Sequence, residues 1–388
     1  MGALRRSHGV ALAALAALLL LLLARLPPPP RAPPPRPLPL AHHAPPAPPA
    51  PPAPPARAHT PSTAAAPSNR TTAPAAPSAS PSPPDSTPRA APPPAHPAAH
   101  PAPPAAAAPA SPGAVLTRDV YVAGHERPHP ELCPALGARL RLVVLVTSAP
   151  SHAEARAAVR LTWGHYAARA DVALAFVLGA PPAALRAAIA AEDALYGDVI
   201  VGRSVDSYSN LTLKTLSMLE WVDTYCPRAP RLLKTDDDMF INVPRLLQFA
   251  AAPARANATR TIWGKVVRKS LPKRTTKSKY YVSPAQFPGR VFPDFATGPA
   301  YLMTADCVRE LLAAAPAEPY LRLEDVFVTG VLAQKLNISR KHAPEFYNKK
   351  VAAHPCAVQR GLAIHMVRYH EQFDLWRKLL DGKTKCAT

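Results

Sequence analysis

The sequence predicts an α/β domain behind an apolar N-terminal segment and a proline-rich spacer. Three observations support this prediction. Apolar runs of strand length alternate with helical patterns from about residue 140 onward. Nearly all Trp, Tyr, Phe, Ile and Val residues lie after residue 113, and 34 of the 53 prolines lie within residues 27–112. The remaining stretch of roughly 275 residues is long enough for one large domain.

The first 26 residues, MGALRRSHGVALAALAALLLLLLARL, have the pattern of a membrane-targeting signal. Arg5 and Arg6 precede an unbroken apolar run over residues 9–24. We predict an uncleaved signal-anchor helix over residues 9–26, with residues 1–8 as a cytoplasmic tail, because short spans suit the thinner membranes of the early secretory pathway. A cleaved signal peptide is the alternative.

Residues 27–112 are predicted to form a disordered stem. They are rich in Pro, Ala, Ser and Thr and contain almost no large apolar side chain that could build a core. The folded, luminal domain is then predicted to occupy residues 113–388.

Sequons and cysteines indicate an oxidising lumen. Four N-x-S/T triplets begin at Asn69, Asn210, Asn257 and Asn337. The five cysteines have no metal-ligand spacing, so we predict two disulfides and one free thiol, with the pairing left open.

Positive charge is in excess along the chain. Eight arginines and one aspartate before residue 113 account for seven of the twenty formal charges, which leaves about +13 on the folded part. The densest cluster is KVVRKSLPKRTTKSK at residues 265–279. Such a cluster fits nucleic acid, anionic glycans, a phosphorylated ligand or a merely solvated surface. The anchor and the sequons exclude nucleic acid as the predicted partner.

Strand and helix patterns follow one another in the first half of the folded part. Each apolar run is typical of a strand that is buried on both faces, and each is followed by a helical pattern. The predicted strands are LRLVVLV (140–146), VALAFVL (172–178) and DVIV (198–201), and the predicted helices are SHAEARAAVRLTWG, PPAALRAAIAAEDAL and NLTLKTLSMLEWVDTY. Ser151 and Glu154 have the spacing of a capping box for the first helix. This alternation predicts a parallel sheet with crossover helices.

Three adjacent carboxylates follow the next apolar stretch, in RLLKTDDDMFIN at residues 231–242. Ligands of open α/β sheets bind beyond the carboxyl ends of strands, and Asp236, Asp237 and Asp238 lie in such a position. Their oxygens suit Mg²⁺ or Mn²⁺, which also bind phosphate, so we predict a site for a diphosphate held through a shared metal. An acidic turn that caps the next segment is the alternative.

The chain resembles the β-1,3-glycosyltransferase family of galactosyltransferases and N-acetylglucosaminyltransferases. Five blocks match in order: RAAVRLTWG (156–164), FVLG (176–179), DSYSNLTLKT (206–215), LKTDDDMFIN (233–242) and LEDVFVTG (323–330). The resemblance implies a GT-A (Rossmann-like) fold, a single-pass type II topology in the Golgi membrane, a UDP-sugar donor, a glycan acceptor and Mn²⁺ or another divalent cation.

The same resemblance implies roles for the acidic triplet and for one histidine. Asp238 would be a direct metal ligand, and Asp236 would face the metal or the ribose. Asp236 and Asp237 would both belong to the nucleotide-binding set. His365 would join the metal or diphosphate shell, although a single histidine is also compatible with a structural role.

The resemblance also implies a general base. Asp325 matches the family position that removes a proton from the acceptor hydroxyl. We expect it near the N-terminus of a helix over residues 326–335, where the helix dipole would keep it ionised. A simple first-turn helix acid is the alternative.

Basic and aromatic residues complete the predicted site. Arg156, Arg160 and Lys214 are candidates for contact with uridine or diphosphate, since basic groups suit an anionic donor. Phe295 and Tyr301 would offer a stacking face to a sugar or belong to the core.

The predicted activity is the transfer of galactose from UDP-galactose to a glycan in β-1,3 linkage with inversion. UDP-N-acetylglucosamine is the alternative donor, because the shared motifs describe the handling of nucleotide and metal. Two rival hypotheses are a non-catalytic luminal glycan-binding protein of the same fold and a secreted protein whose proline-rich region is the functional part.

Overall fold

The computed structural model describes residues 113–386. The predicted tail (1–8), anchor (9–26) and stem (27–112) lie outside the described residues. Within the described part, no helix is both long and apolar enough to cross a membrane.

The described residues form strands and helices in mixed order. The strands are β1 (His125–Arg127), β2 (Leu142–Thr147), β3 (Val172–Ala180), β4 (Val199–Val205), β5 (Arg231–Asp236), β6 (Phe240–Ile241), β7 (Thr261–Val267), β8 (Phe295–Thr304), β9 (Ser339–His342), β10 (Phe346–Tyr347) and β11 (Ala363–Ile364). The α-helices are α1 (Thr117–Val120), α2 (Ala153–Arg160), α3 (Ala183–Tyr196), α4 (Leu211–Tyr225), α5 (Val243–Ala251), α6 (Pro253–Ala256), α7 (Asp306–Ala314), α8 (Ala333–Lys335), α9 (Pro355–Arg360) and α10 (Tyr369–Leu379). A π-helix, Val326–Leu332, runs directly into α8.

Eight strands form one sheet in the order β1-β4-β3-β2-β5-β8-β7-β9. Strands β4, β3, β2 and β5 are parallel, whereas β8 is antiparallel to β5 and β7 is antiparallel to β8. A small second sheet has the order β10-β11-β6. The predicted mixed α/β architecture with a parallel core of crossover units is therefore confirmed.

The main sheet is covered on both faces. Along β2, Leu142, Val144 and Val146 belong to one apolar cluster, and Val143 and Leu145 belong to the other. Residues of α4 join the second cluster, and residues of α2 and α3 join the first. Because successive side chains of a strand point to opposite faces, burial on both faces explains why these strands read as continuous apolar runs.

Predicted element positions agree with the structure, and one predicted cap is wrong. The three predicted strands correspond to β2, β3 and β4. Helix α2 begins at Ala153 after His152, and no side chain caps it, so Ser151 does not form the expected capping box. The imidazole of His152 instead contacts Asp237.

Two disulfides form, and one cysteine is free. Cys133 bonds to Cys226, and Cys356 bonds to Cys386. The buried Cys307 keeps its thiol. The predicted count of two bridges and one thiol is confirmed, and the pairing comes from the structure.

Candidate active site

The site is built at the edge where β2 and β5 end side by side. Thr147, the last residue of β2, pairs with Asp236, the last residue of β5. The Thr147 hydroxyl donates a hydrogen bond to Asp236 Oδ1 over 2.5 Å. The main chain then turns, so Asp237 and Asp238 lie beyond the end of β5, and their side chains contact other parts of the protein.

Lys234 is a buried cation that joins three parts of this edge. Its Nζ lies 2.5 Å from Asp236 Oδ1, donates to the Gly298 carbonyl over 2.7 Å, and lies 3.8 Å from Glu324 Oε2. Burial works against its charge, but the carboxylates of Asp236 and Glu324 outweigh burial and raise the pKa of Lys234. The lysine therefore stays charged and links β5 to β8 and to the segment that precedes the π-helix.

Asp325 is the N-cap of the π-helix, as expected for its position in the sequence. Its Oδ1 accepts from its own helix at the Val326 N–H over 2.9 Å, and its Oδ2 accepts from the Gly298 N–H over 3.1 Å. Burial raises the pKa of Asp325, and the two N–H groups offset only part of that rise. The result is a fixed carboxylate with increased proton affinity, which is the property of a general base.

Glu324 lies behind Asp325 and is buried. The Tyr301 hydroxyl donates to Glu324 Oε1 over 2.6 Å. Burial raises the pKa of Glu324 to about 7, although the Lys234 ammonium acts in the opposite direction.

A chain of contacts connects Asp236, the first residue of the acidic triplet, to Asp325. Asp236 contacts Lys234, Lys234 contacts the Gly298 carbonyl, and the amide of the same glycine holds Asp325. A Cβ at Gly298 would lie 3.3 Å from Glu324 Oε2 and 3.6 Å from Asp325 Cβ. Strand β8 and the start of the π-helix thus approach closely at a residue that has no side chain.

Asp237 faces inward, away from the open edge. Its carboxylate accepts from the Ser148 hydroxyl over 2.7 Å and lies 2.9 Å from His152 Nδ1. The hydrogen bond to this carboxylate raises the pKa of His152. Asp237 therefore fastens the β5 end to the segment between β2 and α2.

Asp238 and His365 form the open part of the triplet. His365 Nε2 lies 3.3 Å from Asp238 Oδ2, and the Asp238 side chain is 49% exposed. The carbonyl of Asp238 accepts from the Val367 N–H over 2.9 Å, which fixes the two segments against each other. A carboxylate and an imidazole are ligand types that Mn²⁺ accepts. Across residues 113–386, no three His, Cys, Asp or Glu side chains gather as a complete metal site.

The two predicted donor-binding arginines are bound to acidic residues of the protein, and Arg156 also donates to the Ser148 hydroxyl beside Asp237 over 3.0 Å. Arg156 has no exposed surface; its guanidinium binds Glu192 over 2.7 and 2.6 Å and donates to the Ala149 carbonyl over 2.6 Å. Arg160 is held by Asp198 over 2.8 and 2.7 Å and lies 4.0 Å above the Tyr196 ring. Both guanidinium groups are used inside the protein, because acidic partners on and after α3 take up their donors. The sequence predicted that both arginines contact the donor. In the structure, their guanidinium groups instead bind acidic residues of the protein.

Lys214 is buried near the end of β2. Its Nζ donates to the Ser148 carbonyl over 2.6 Å and pairs with Asp206 Oδ2 at 2.8 Å. Asp206 in turn accepts from the Gly179 N–H over 2.7 Å. Lys214 thus reaches the same loop that Asp237 holds, as Arg156 does through the Ser148 hydroxyl.

Two predicted aromatic candidates belong to the core. Phe295 and Tyr301 are buried, and Tyr301 is oriented towards Glu324. Lys234, Glu324 and Thr147 were not assigned to the site from the sequence. The apolar run around Lys234 was the available signal, since a lysine inside a buried strand needs an acidic partner.

The family model described as Galactosyltransferase matches residues 154–344. This range includes the acidic triplet and Asp325 but ends before His365. About half of the chain is therefore similar to one known enzyme family.

Curated relatives are similar over a longer range. Beta-1,3-galactosyltransferase 4 of Rattus norvegicus is 36% identical over 263 residues, which cover 61% of this chain and 70% of the relative. N-acetyllactosaminide beta-1,3-N-acetylglucosaminyltransferase 4 of Homo sapiens is 34% identical over 260 residues, covering 63% and 67%. Beta-1,3-galactosyltransferase 5 of Homo sapiens is 33% identical over 248 residues, covering 62% and 79%. Relatives named for two different donor sugars are thus about equally similar.

Proposed function

The chain belongs to the galactosyltransferase family of β-1,3-glycosyltransferases, and we propose that it transfers a hexose from a UDP-hexose donor to a glycan hydroxyl in β-1,3 linkage. We assign the mixed α/β domain to the GT-A class and the protein to the Golgi membrane, with the domain in the lumen. The observation that carries the proposal is the chain of contacts from Asp236 through Lys234 and Gly298 to Asp325.

Asp325 is the proposed base. Two backbone N–H groups hold its two oxygens, so the carboxylate has a fixed direction. It would take the proton of the acceptor hydroxyl while that oxygen attacks the anomeric carbon of the donor sugar. The bond between the sugar and the diphosphate breaks in the same step, and UDP leaves on the opposite side. One displacement at an α-linked donor gives a β linkage.

The open edge of the triplet is the proposed place of the donor diphosphate. Asp238 and His365 would hold a divalent cation, preferably Mn²⁺, and Asp236 would face this cation or the ribose with its second oxygen. When bound, such a cation offsets negative charge on the departing diphosphate.

Lys214, Arg156, Arg160 and Asp237 support the donor site from behind. Lys214 and Arg156 each bond to the loop after β2, which carries Ser148. Asp237 holds the same loop against β5. We propose that these residues position the nucleotide-binding edge, and that Arg160 acts through its partner Glu192, which it shares with Arg156.

Asp325→Asn tests the base. The variant keeps the shape of the side chain and removes the basic oxygen, so kcat is expected to fall by about 10²- to 10⁴-fold. The matched control is Asp306→Asn, because Asp306 begins α7 at the other end of β8. Transfer assays on the full chain measure both variants. Unchanged kcat in Asp325→Asn would contradict the assignment.

Galactose is the proposed sugar, and N-acetylglucosamine is the alternative. Assays with radiolabelled UDP-galactose and UDP-N-acetylglucosamine, each with Mn²⁺ and with EDTA, separate the donors and test the cation. A higher kcat/KM with UDP-N-acetylglucosamine than with UDP-galactose would identify N-acetylglucosamine as the transferred sugar. Equal transfer in EDTA would contradict the role given to Asp238 and His365.

Two rival functions give different results in the same assays. A luminal glycan-binding protein would transfer neither sugar and would bind glycans equally well after Asp325→Asn. A protein whose proline-rich region is the functional part would lose its activity when residues 1–112 are removed.

A further inference from the structure

The basic segment, residues 265–279, has no role in the chemistry described above. It contains seven basic side chains, all exposed, and no acidic residue. They are Lys265, Arg268, Lys269, Lys273, Arg274, Lys277 and Lys279. Arg268 lies 3.3 Å from Asp294, and the other six form no ion pair with any described residue. This surface therefore presents uncompensated positive charge.

The basic segment is a built part of the protein. Arg274 donates to the carbonyls of Val282 and Phe287 over 2.8 and 2.7 Å. The Phe287 ring lies 5.0 Å from the ring of Phe292, which is buried in the core. Such contacts hold the exposed lysines at defined positions, which lowers the entropic cost of binding a ligand.

The basic segment ends beside the proposed base. The guanidinium of Arg322 donates to the carbonyl of Lys279, and Arg322 lies three residues before Asp325. After Lys279, the polypeptide continues through residues 280–294 into β8, which carries Gly298, the partner of Asp325. The last lysines of the segment are thus fixed to the chain that presents the base.

Exposed aromatic rings stand in the same place. Tyr280 is 47% exposed, and Tyr208 is 56% exposed. Lys279 Nζ lies 4.9 Å from the centroid of the Tyr280 ring. Contact with Tyr280 raises the pKa of Lys279, and Tyr208 acts on it in the same direction.

The turn that carries Tyr208 is fastened to the residues before Arg322. The Tyr320 hydroxyl donates to the Ser209 carbonyl over 2.7 Å. The Thr212 hydroxyl donates to the Leu321 carbonyl over 2.7 Å. The turn with Tyr208 and the end of the basic segment at Lys279 are therefore both fastened to residues 320–322, which lead to Asp325.

Aromatic rings and cations side by side indicate the chemistry of the ligand. A tyrosine face packs against the apolar face of a sugar ring, and ammonium or guanidinium groups bind carboxylate and sulfate. We propose that Tyr208, Tyr280, Lys279 and the neighbouring lysines of the basic segment bind an acceptor glycan that carries a carboxylate or a sulfate near the hydroxyl to be glycosylated. This inference rests on the proposed function and names its acceptor class.

The test compares two acceptors that differ in one charge. The full chain is assayed with N-acetyllactosamine and with N-acetyllactosamine bearing a 6-sulfate on its N-acetylglucosamine, using both UDP-sugars. We expect kcat/KM to be about tenfold higher for the sulfated acceptor, mainly through KM, since several exposed charge contacts add up to a change of that size. The preference should shrink as salt rises, because exposed charges are screened.

The variant Lys273→Ala/Lys277→Ala/Lys279→Ala should abolish this preference. The matched control, Arg377→Ala/Lys383→Ala/Lys385→Ala, removes the same charge from exposed positions in and after α10, whose core residues pack against the other face of the sheet. The control should keep the preference. KM for the UDP donor should stay the same in the first variant, because the basic segment is assigned to the acceptor.

Failure of the inference is distinguishable from failure of the proposed function. Transfer to both acceptors with equal kcat/KM, or a preference that survives in the first variant, would overturn the inference and leave the function intact. A raised KM for the UDP donor would also overturn it. If the protein transfers sugar to neither acceptor, binding of a fluorescent sulfated oligosaccharide to the full chain tests the inference. We expect the first variant to bind this oligosaccharide about tenfold more weakly than the unmodified protein does. A different result is that the full chain binds phosphatidylserine vesicles and binds sulfated and unsulfated oligosaccharides equally well. That result would assign the surface to membrane binding.

Discussion

At the scale of single residues, Lys234 holds the site together. It is a buried ammonium between Asp236, Glu324 and a backbone carbonyl. Its removal leaves two carboxylates without their cation in a place with little access to water. An uncompensated buried charge is far more destabilising than the loss of a surface ion pair.

Lys234→Met is therefore expected to lower the free energy of unfolding by about 3–5 kcal/mol. Methionine fills a similar volume, so the effect reports the lost charge and not a cavity. Urea unfolding followed by circular dichroism measures it. Lys265→Met, at an exposed position of β7, is the control and should change stability by less than about 0.5 kcal/mol. A loss as small as that of the control would show that the buried pair is not required.

Glu324 should give the stability a distinctive dependence on pH. Burial raises its pKa from 4.5 to about 7, so the folded state binds a proton that the unfolded chain has released between these values. The contribution of this group is complete below pH 4.5 and is lost as pH rises through about 7. Glu324→Gln should flatten the fall in unfolding free energy over this window, as measured by urea unfolding at several pH values. The exposed Glu154→Gln serves as the control, and an equal slope in all three proteins would contradict the assignment.

The sequence predicted the carboxylates of this site but not the groups that hold them. Asp236 and Asp325 are recognisable because each directly ends or begins an element. The contact between Lys234 and Gly298 joins residues 64 positions apart, and no local pattern reports it. The sequence shows that a helix carries a charged residue but not whether that residue is buried. Arg156 was therefore predicted to contact a donor, whereas the structure shows it inside the protein.

At the scale of elements, β8 and the π-helix present the base. The Gly298 N–H in β8 donates a hydrogen bond to the Asp325 carboxylate, and the same carboxylate caps the N-terminus of the π-helix. The close approach of the two elements depends on a position with no Cβ. A small displacement of one element therefore changes the direction of the base.

Gly298→Ala should reduce activity more than stability. The new Cβ would lie 3.3 Å from Glu324 Oε2 and would push the carboxylates aside by a few tenths of an ångström. We expect kcat to fall by about 10- to 100-fold, since misplacement of a reacting group by up to an ångström has an effect of that order. Gly382→Ala is the control, because a Cβ there meets nothing within 4 Å. Steady-state kinetics together with urea unfolding separate the two effects, and a normal kcat would count against the geometry.

The parallel half of the sheet was predictable, whereas the antiparallel half was not. Strands β2 to β5 are short apolar runs separated by helical patterns, which predicts parallel strands joined by crossover helices. Their order in the sheet comes from the structure. Strands β7 and β8 are neighbours although residues 268–294 separate them. A connection of that length carries no signal for pairing, and the π-helix after Asp325 reads as an ordinary helix in the sequence.

At the scale of the whole molecule, the described domain has its own core on both faces of the sheet and its own two disulfides. The composition places the boundary of this domain near residue 113, and the tail, anchor and stem before it remain predictions. Every contact proposed for catalysis lies between residues 147 and 367. We therefore predict that the chemistry does not require the region before residue 113.

Residues 113–388, secreted without the N-terminal region, should retain transfer activity. We expect kcat/KM on a soluble acceptor within about threefold of the full chain, since a proline-rich spacer supplies reach and no contacts. The Asp325→Asn version of the same fragment is the control for background transfer. A fragment that unfolds cooperatively yet transfers no sugar would assign a working role to the proline-rich region.

The bond between Cys356 and Cys386 has a consequence for where the protein can work. His365 directly follows β11, and both lie within the stretch of chain that this bond closes. Without the bridge, the segment opposite Asp238 loses a covalent constraint and keeps its backbone contact with Asp238. We therefore expect a chain made in a reducing environment to reach full activity only after this thiol pair is oxidised, which suits an oxidising compartment.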